Sequence, residues 1–290
     1  MPSKEDLQPG DPEKAVEAIP CESFAAFYEK IGSEHADTHG IIFRGHRDSK
    51  WKLESSLLRL SRDNLEADMR SSQGAIADEL KWNGLRSKQS FQQRYGAFTE
   101  TAASLEDEKM WALAQQHGGK TPLLDWTTSP FVAAFFAYAD LVLNCKAEDR
   151  NGSVAVWALR IGNARSILSN AEPPERFRLC YHVLPANRRL IAQQGLFTYH
   201  DEPVDMVSWI ASYDVDPRLN YPVFQKYVIQ SEDYDFALSL LNRMNINYAT
   251  LFPDIGGAAL HATLAGVQVG YEGLNPQEEP LVRPSPPSST

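Results

Sequence analysis

The stretch from Gln116 to Tyr138, Gln-His-Gly-Gly-Lys-Thr-Pro-Leu-Leu-Asp-Trp-Thr-Thr-Ser-Pro-Phe-Val-Ala-Ala-Phe-Phe-Ala-Tyr, constrains the fold of this chain more than any other. Ser129 followed by Pro130 marks a helix start, because a serine oxygen can accept an orphan amide hydrogen bond and proline at the first helical position has no N–H to leave unpaired. Residues 131–137 are apolar on every side, so the helix belongs in a core and not on a surface. Ala133, Ala134 and Ala137 are small enough to let another backbone approach. Just before it, Asp125, Trp126, Thr127 and Thr128 set a carboxylate and two hydroxyls beside that buried helix. Buried polar groups must be paired or cost about 1–3 kcal/mol each. Asp125 therefore either braces the turn or serves a site. The whole stretch reads as a helix end, a polar turn and a buried helix.

Ile41, Ile42 and Phe43 form a short apolar run that reads as a buried strand delivering Arg44 at its end. An always-charged fork in that place needs a carboxylate or a phosphate nearby, and Asp125 is the internal candidate. Gly45 permits close backbone approach. His46, Arg47 and Lys50 follow, so this strand end is basic although the chain carries a formal charge of -10.

Phe24, Phe27 and Tyr28 recur at helical spacing and predict a first helix over residues 21–30. Residues 64–117 are helical in pattern, with Gly74, Gly84 and Gly96 as candidate breaks. The last helix of that run has Ser104 as its cap, Asp107 at the capping-box position and Gly118 to close it, which puts Gln116 and His117 in its final turn. His117 there is either a partner of the helix C-terminus or a catalytic group. Strands are predicted at 153–160, 180–184, 196–199 and 226–230. Gly195 would let Gln193 or Gln194 lie close to another backbone. A helix beginning after Ser231 places Phe236, Leu240, Leu241 and Met244 on one face. Residues 251–257, Leu-Phe-Pro-Asp-Ile-Gly-Gly, lead into a last alanine-rich helix. The expected fold is α+β, a helical N-terminal half packed on a mixed or antiparallel sheet, because helices concentrate before residue 140 and strands after it. One domain is expected over 21–272, with mobile tails over 1–20 and 273–290.

A chain of 290 residues, 43% of them hydrophobic, can fill a core of its own. Its negative charge argues against a general nucleic-acid binder but leaves room for a local basic groove. Cys21, Cys145 and Cys180 are odd in number and widely spaced, which supports neither a disulfide framework nor a metal site and fits a reducing, cytoplasmic setting. No run approaches the about 18 apolar residues of a membrane span. The phosphate loop, the dinucleotide glycine motif, the H-E-x-x-H zinc motif and the nucleophile elbow are all missing.

At Phe43-Arg44-Gly45, at Gln116-His117-Gly118 with Thr121-Pro122-Leu123-Leu124-Asp125-Trp126-Thr127, and at Ser129-Pro130 through Ala137, the chain resembles the FRG-domain family. The resemblance extends through Arg188, Gln193, Gly195 and Phe197 to Leu251-Phe252-Pro253-Asp254. Many members carry an arginine where this chain has Pro122, so any role of that arginine is lost or taken over here. The chain is similar, at looser spacing, to ADP-ribosyltransferases of the Arg–Ser–Glu type. That second resemblance implies NAD as substrate, with Arg44 and Gly45 at its phosphates and Thr127 with Ser129 shaping the nicotinamide pocket. Trp126 or Tyr138 would stack on the nicotinamide ring, and Gln193 or Glu202 would lie near the ribose. No E-x-E or Q-x-E pair accompanies them, which leaves the catalytic acid unassigned. The acceptor implied is protein or nucleic acid, and the role that of a toxin or an antiphage effector. Two other readings stay open. One is a non-catalytic module in which Arg44, His117 and Asp125 form a network or hold a small phosphate-bearing ligand; the other is a hydrolase using His117 and Asp125 as an acid–base pair. Arg44, His117, Asp125 and Gln193 are expected to converge on one cleft.

Overall fold

The computed structural model describes residues 15–34, 40–67, 72–96, 107–168, 177–180, 188–200, 202–213 and 222–267. In chain order the elements are β1 (Val16–Cys21), α1 (Phe24–Glu34), β2 (Ile41–His46), α2 (Ser56–Ala67), α3 (Gln73–Gly96), α4 (Asp107–Gln116), β3 (Leu123–Thr127) and α5 (Pro130–Asn144). They continue with β4 (Ser153–Arg160), α6 (Ile161–Leu168), β5 (Arg178–Cys180), α7 (Arg188–Ala192), β6 (Gly195–Tyr199), α8 (Met206–Ala211), β7 (Phe224–Gln230), α9 (Tyr234–Arg243), α10 (Tyr248–Leu251) and α11 (Ile255–Val267). The strands form one sheet in the order β1-β7-β4-β2-β3-β6-β5. β1 runs parallel to β7, and the other neighbours are antiparallel. The α+β expectation with a mixed sheet therefore holds, although among the described residues three strands precede residue 140 and six α-helices follow it.

Helix α5 lies across one face of this sheet. Ser129 Oγ accepts the Val132 amide and Pro130 occupies the first turn, as the Ser-Pro pair predicts. Ala133, Ala134, Phe135, Ala137, Tyr138 and Ala139 are fully buried, packed with Phe24 and Phe27 of α1, Phe43 of β2, Val156 of β4 and Tyr227 of β7. Burying each large side chain of this kind contributes about 1.5–3 kcal/mol. Contact is so close at Gly45 that a Cβ there would overlap the Ala133 carbonyl oxygen, so only glycine fits. The opposite face buries Ile42, Leu124, Trp126, Trp157, Leu159 and Phe224 against Leu53, α6 and α8.

Several expectations change. The segment between α4 and α5 is not a turn throughout. Leu123–Thr127 is strand β3, in which Leu124 and Trp126 face one layer while Asp125 and Thr127 face the other, a period of two that a reading as a polar turn misses. Residues 16–20 are not tail but strand, paired with β7 in register from Val16↔Phe224 to Cys21↔Ile229. The strand expected over 180–184 ends its described part at Cys180, and 181–187 lie outside the described residues. Ser104 and residues 273–290 also lie outside them. Gly84 does not break α3, which is continuous from 73 to 96. In α9 the buried face is Ala237, Leu238 and Leu241, whereas Phe236 is 54% exposed and Met244 is also exposed. Phe236 precedes Ala237 by one residue, about 100° around the helix, and so points off the buried face. Among the described residues no helix is long and apolar enough to cross a membrane.

Candidate functional site

β2 is registered with β4 at six successive pairs, from Ile41↔Arg160 to His46↔Ala155, but with β3 at one, Phe43↔Thr127. The next residue of β2 is Arg44, and its side chain enters where the β2–β3 ladder stops. Arg44 Nη1 donates to the Asp125 carbonyl oxygen at 2.8 Å and approaches Asp125 Oδ2 at 3.4 Å, while Nε donates to His46 Nε2 at 3.1 Å. A guanidinium thus satisfies a strand carbonyl that lies past the last registered pair. Its Nη2 makes no hydrogen bond among the described residues.

Because His46 Nε2 accepts from Arg44, the ring is neutral with its proton on Nδ1. Burial is the main reason, and the nearby charges of Arg44, Arg59 and Lys226 add to it, holding the His46 pKa well below its ordinary value of 6.5; the backbone of Trp51 opposes the shift only in part.

The Asp125 carboxylate is 59% exposed, so its pair with Arg44 contributes little to stability. Its Oδ1 accepts from Gln115 Nε2 at 2.6 Å, and Gln115 Oε1 accepts from the buried Thr121 hydroxyl. Thr121 is fixed in turn through its amide to Ser56 Oγ at 3.0 Å. A carboxylate is thereby held in one orientation yet left open to solvent.

These groups line a cleft of about 460 Å³, within the usual range for a small-molecule site. Its polar side carries Arg44, Gln115, Asp125, Asp140, Arg189 and Gln193, and its apolar side Phe136, Tyr248, Phe252 and Leu260. The three rings meet edge-on or tilted, with centroids 6.0 Å apart for Phe136–Phe252 and 5.6 Å for Tyr248–Phe252. Burial first, and then the Asp140 charge, push the Tyr248 hydroxyl up to about 12, so it stays protonated at neutral pH. Asp140 also accepts from Arg47 Nη1 at 3.2 Å. The rim is clamped by Arg189, which pairs with Asp254, lies 5.2 Å over the Phe252 ring and reaches the Gln116 carbonyl. Asp254 Oδ1 caps α11 through the amides of Gly256 and Gly257. The Arg189 hydrogen bond is the chief cause of an Asp254 pKa lowered to about 2.

Of the residues singled out from sequence, Arg44, Asp125 and Gln193 come together here. Gln193 Nε2 donates to the Leu251 carbonyl at 3.1 Å, which ties β6 to α10. Gly45 borders the cleft, but the need for glycine comes from α5. Trp126 borders the cleft, but its indole packs in the opposite layer and donates to Thr198 Oγ1 at 2.8 Å. Thr127 Oγ1 donates to the Gln193 carbonyl and accepts the Ser129 amide, so both residues serve the β3–α5 corner, and Ser129 does not line the cleft. Tyr138 is a fully buried core residue whose hydroxyl bonds the Gln230 carbonyl. His117 follows α4, just before Gly118 at φ 84°; it is exposed and outside the cleft lining, whereas Gln116 lines it. Glu202 lines a different cavity, beside Trp209.

Sequence reasoning passed over Gln115, Asp140, Arg189 and Tyr248, and met Phe252 only as part of the Leu251–Asp254 motif, with no role in a site. Asp140 did have a signal, as the lone charge in the otherwise apolar and neutral run 130–144.

Residues 39–143 match the family model of the FRG domain. The chain carries an FRG domain. No curated protein and no solved structure matches the chain. The FRG match spans β2 to α5 and so includes Arg44, Asp125, Gln115 and Asp140, while Gln193, Arg189 and the α10–α11 wall of the cleft lie outside it. The FRG domain therefore supplies the floor and most of the polar side of the cleft, and the chain after it supplies much of the aromatic side.

Proposed function

We propose that the cleft binds a small nucleotide, with NAD as substrate, and that the chain passes its ADP-ribosyl group to a macromolecular acceptor as a toxin or antiphage effector. The observation that carries this reading is Arg44, with Nη2 uncommitted, standing beside the exposed Asp125 carboxylate and across from Phe136, Tyr248 and Phe252. A guanidinium suits a phosphate, flat rings suit a base or a nicotinamide ring, and a fixed carboxylate opposes positive charge developing on a ribose. In the transfer, the glycosidic C–N bond breaks and nicotinamide leaves with the electron pair. The acceptor's nucleophilic atom bonds to the ribose carbon and gives up its proton to solvent. Asp125, held by Gln115 and Arg44, stabilises that carbon's positive charge.

Trp126, Thr127, Ser129 and Tyr138 take no contact role in this reading, and stacking falls to Phe252 and its neighbours. His117 drops out with them, which removes the basis for an acid–base pair with Asp125. A non-catalytic binding module is the second reading, favoured by Asp125 and Gln193 already being engaged by Gln115 and Leu251. Calorimetric titration with NAD and an assay of nicotinamide release separate the two. Binding with release supports the transferase, binding without release the module, and absence of binding overturns both.

A further inference from the structure

We propose that Arg59 and Lys226, gathered around His46 on the sheet face opposite α5, form a phosphate subsite that holds the backbone of a single-stranded nucleic acid. As the acceptor for ADP-ribosyl transfer, that strand rests on the function proposed above; as a ligand, it does not.

The pleat places the cluster. Arg44 pairs across the sheet with Trp157, and Trp157 with Lys226, so the three side chains share a face, with His46 two residues along β2 from Arg44. Lys226 Nζ stands 4.6 Å over the Trp157 ring. From α2, Arg59 comes within electrostatic reach of both Arg44 and His46, and its Nη1 is fixed to the Glu54 carbonyl oxygen at 2.7 Å.

What the cluster lacks is an ion-pair partner, although Glu54 and Asp63 lie near Arg59 and Asp48 near Lys226. The Glu54 carboxylate is committed to Arg62. Asp48 accepts the Lys50 amide and reaches Lys226 only as a more distant charge. Among the described residues neither Arg59 nor Lys226 has a carboxylate within ion-pair distance. Partial burial lowers the pKa of both, Arg44 adds to the shift at Arg59, and Glu54, Asp63 and Asp48 oppose it only in part, so neither cation has a paired counter-charge. A bound phosphate would supply one.

The surroundings choose the ligand class. Between residues 44 and 62, Lys and Arg outnumber Asp and Glu six to two, in a chain of net charge -10. Next to the cluster Trp51 is 39% exposed, edge-on to His46, with the Arg47 guanidinium 4.5 Å from its ring centroid. An accessible indole beside spaced cations suits a strand whose bases stack while its phosphates meet the cations. Neither a lone phosphate nor a lipid headgroup uses the ring.

The test is fluorescence anisotropy with a labelled single-stranded oligonucleotide of about 16 nucleotides at several salt concentrations, with NAD binding measured in parallel. The Arg59→Gln/Lys226→Gln protein should bind the strand about tenfold more weakly, with the salt slope reduced by about 1.4. Arg59→Lys/Lys226→Arg should retain binding, and Trp51→Ala should weaken it without changing the slope. Unaltered affinity and slope in the glutamine variant, or a parent protein that does not bind the strand, overturns the subsite. Tighter binding to phosphatidylserine vesicles than to the strand overturns the nucleic-acid assignment. If the strand binds as expected and NAD does not, the cleft reading fails while the subsite stands.

Discussion

The sheet has two halves that meet at β2, and they are held by different means. On the β7–β4–β2 side the strands pair continuously and α5 seals one face with alanines and aromatics, with polar side-chain contacts such as Arg160 to Gln225 added to an unbroken ladder. On the β3–β6 side the ladder to β2 shrinks to Phe43↔Thr127, and side chains take over: Arg44 on the Asp125 carbonyl, Thr127 on the Gln193 carbonyl and Thr128 on Gln194. Replacing a ladder with polar side chains opens a cleft and leaves donors such as Arg44 Nη2 available. The first half makes the fold, and the join makes the site.

The largest effect should come from damage to the sealed half. Ala134→Glu places an unpaired charge where Ala134 is fully buried, at a cost of several kcal/mol, comparable with the whole stability of a domain. We expect no soluble, cooperatively melting protein, and obtaining one would show that α5 is not the core helix. Within the same element set, Leu241→Ala should cost about 2–5 kcal/mol, whereas Phe236→Ser should stay within about 0.5 kcal/mol, measured by urea denaturation.

At the join, Arg44→Lys should lower stability by about 1–2 kcal/mol, since lysine cannot serve both the Asp125 carbonyl and His46, and should weaken NAD binding by at least about tenfold. Equal losses from Arg44→Lys and Asp125→Asn would point instead to an ordinary structural ion pair.

His46 gives a pH test of the same boundary. Its folded pKa lies below 6.5, so only the unfolded chain takes up a proton as pH falls through that value. Its contribution to stability is intact above 6.5 and is lost progressively down to the folded pKa. The urea midpoint should therefore fall between about pH 7.5 and about pH 5.5, and His46→Gln should flatten that fall. An unchanged pH profile in the variant would mean that His46 is not the group responsible.

At the join the smallest stability effect is expected from Asp125→Asn, below about 1 kcal/mol, because the carboxylate is exposed and Arg44 keeps its bond to the backbone carbonyl. Nicotinamide release should nevertheless be lost. Full release by Asp125→Asn would remove Asp125 from the chemistry.

Sequence by itself determined the elements whose signals are local. Ser129-Pro130 and the all-apolar run after it define α5, and the apolar run before Arg44 defines β2. Gly45 with Ala133 and Ala137 announces a close backbone crossing that the structure contains. Those features depend on neighbours a few residues away, or on small residues whose only use is close approach. Tertiary structure decided what depends on distant partners. Asp140, Arg189 and Phe252 reach one cleft from separate elements, and nothing in their immediate sequence says so. Trp126 turns away from it because the strand alternation of β3 faces its indole to the opposite layer, and His117 falls outside because α4 ends one residue before it. A side chain's type can be read from the sequence, but the face it occupies depends on the register and packing of the whole sheet.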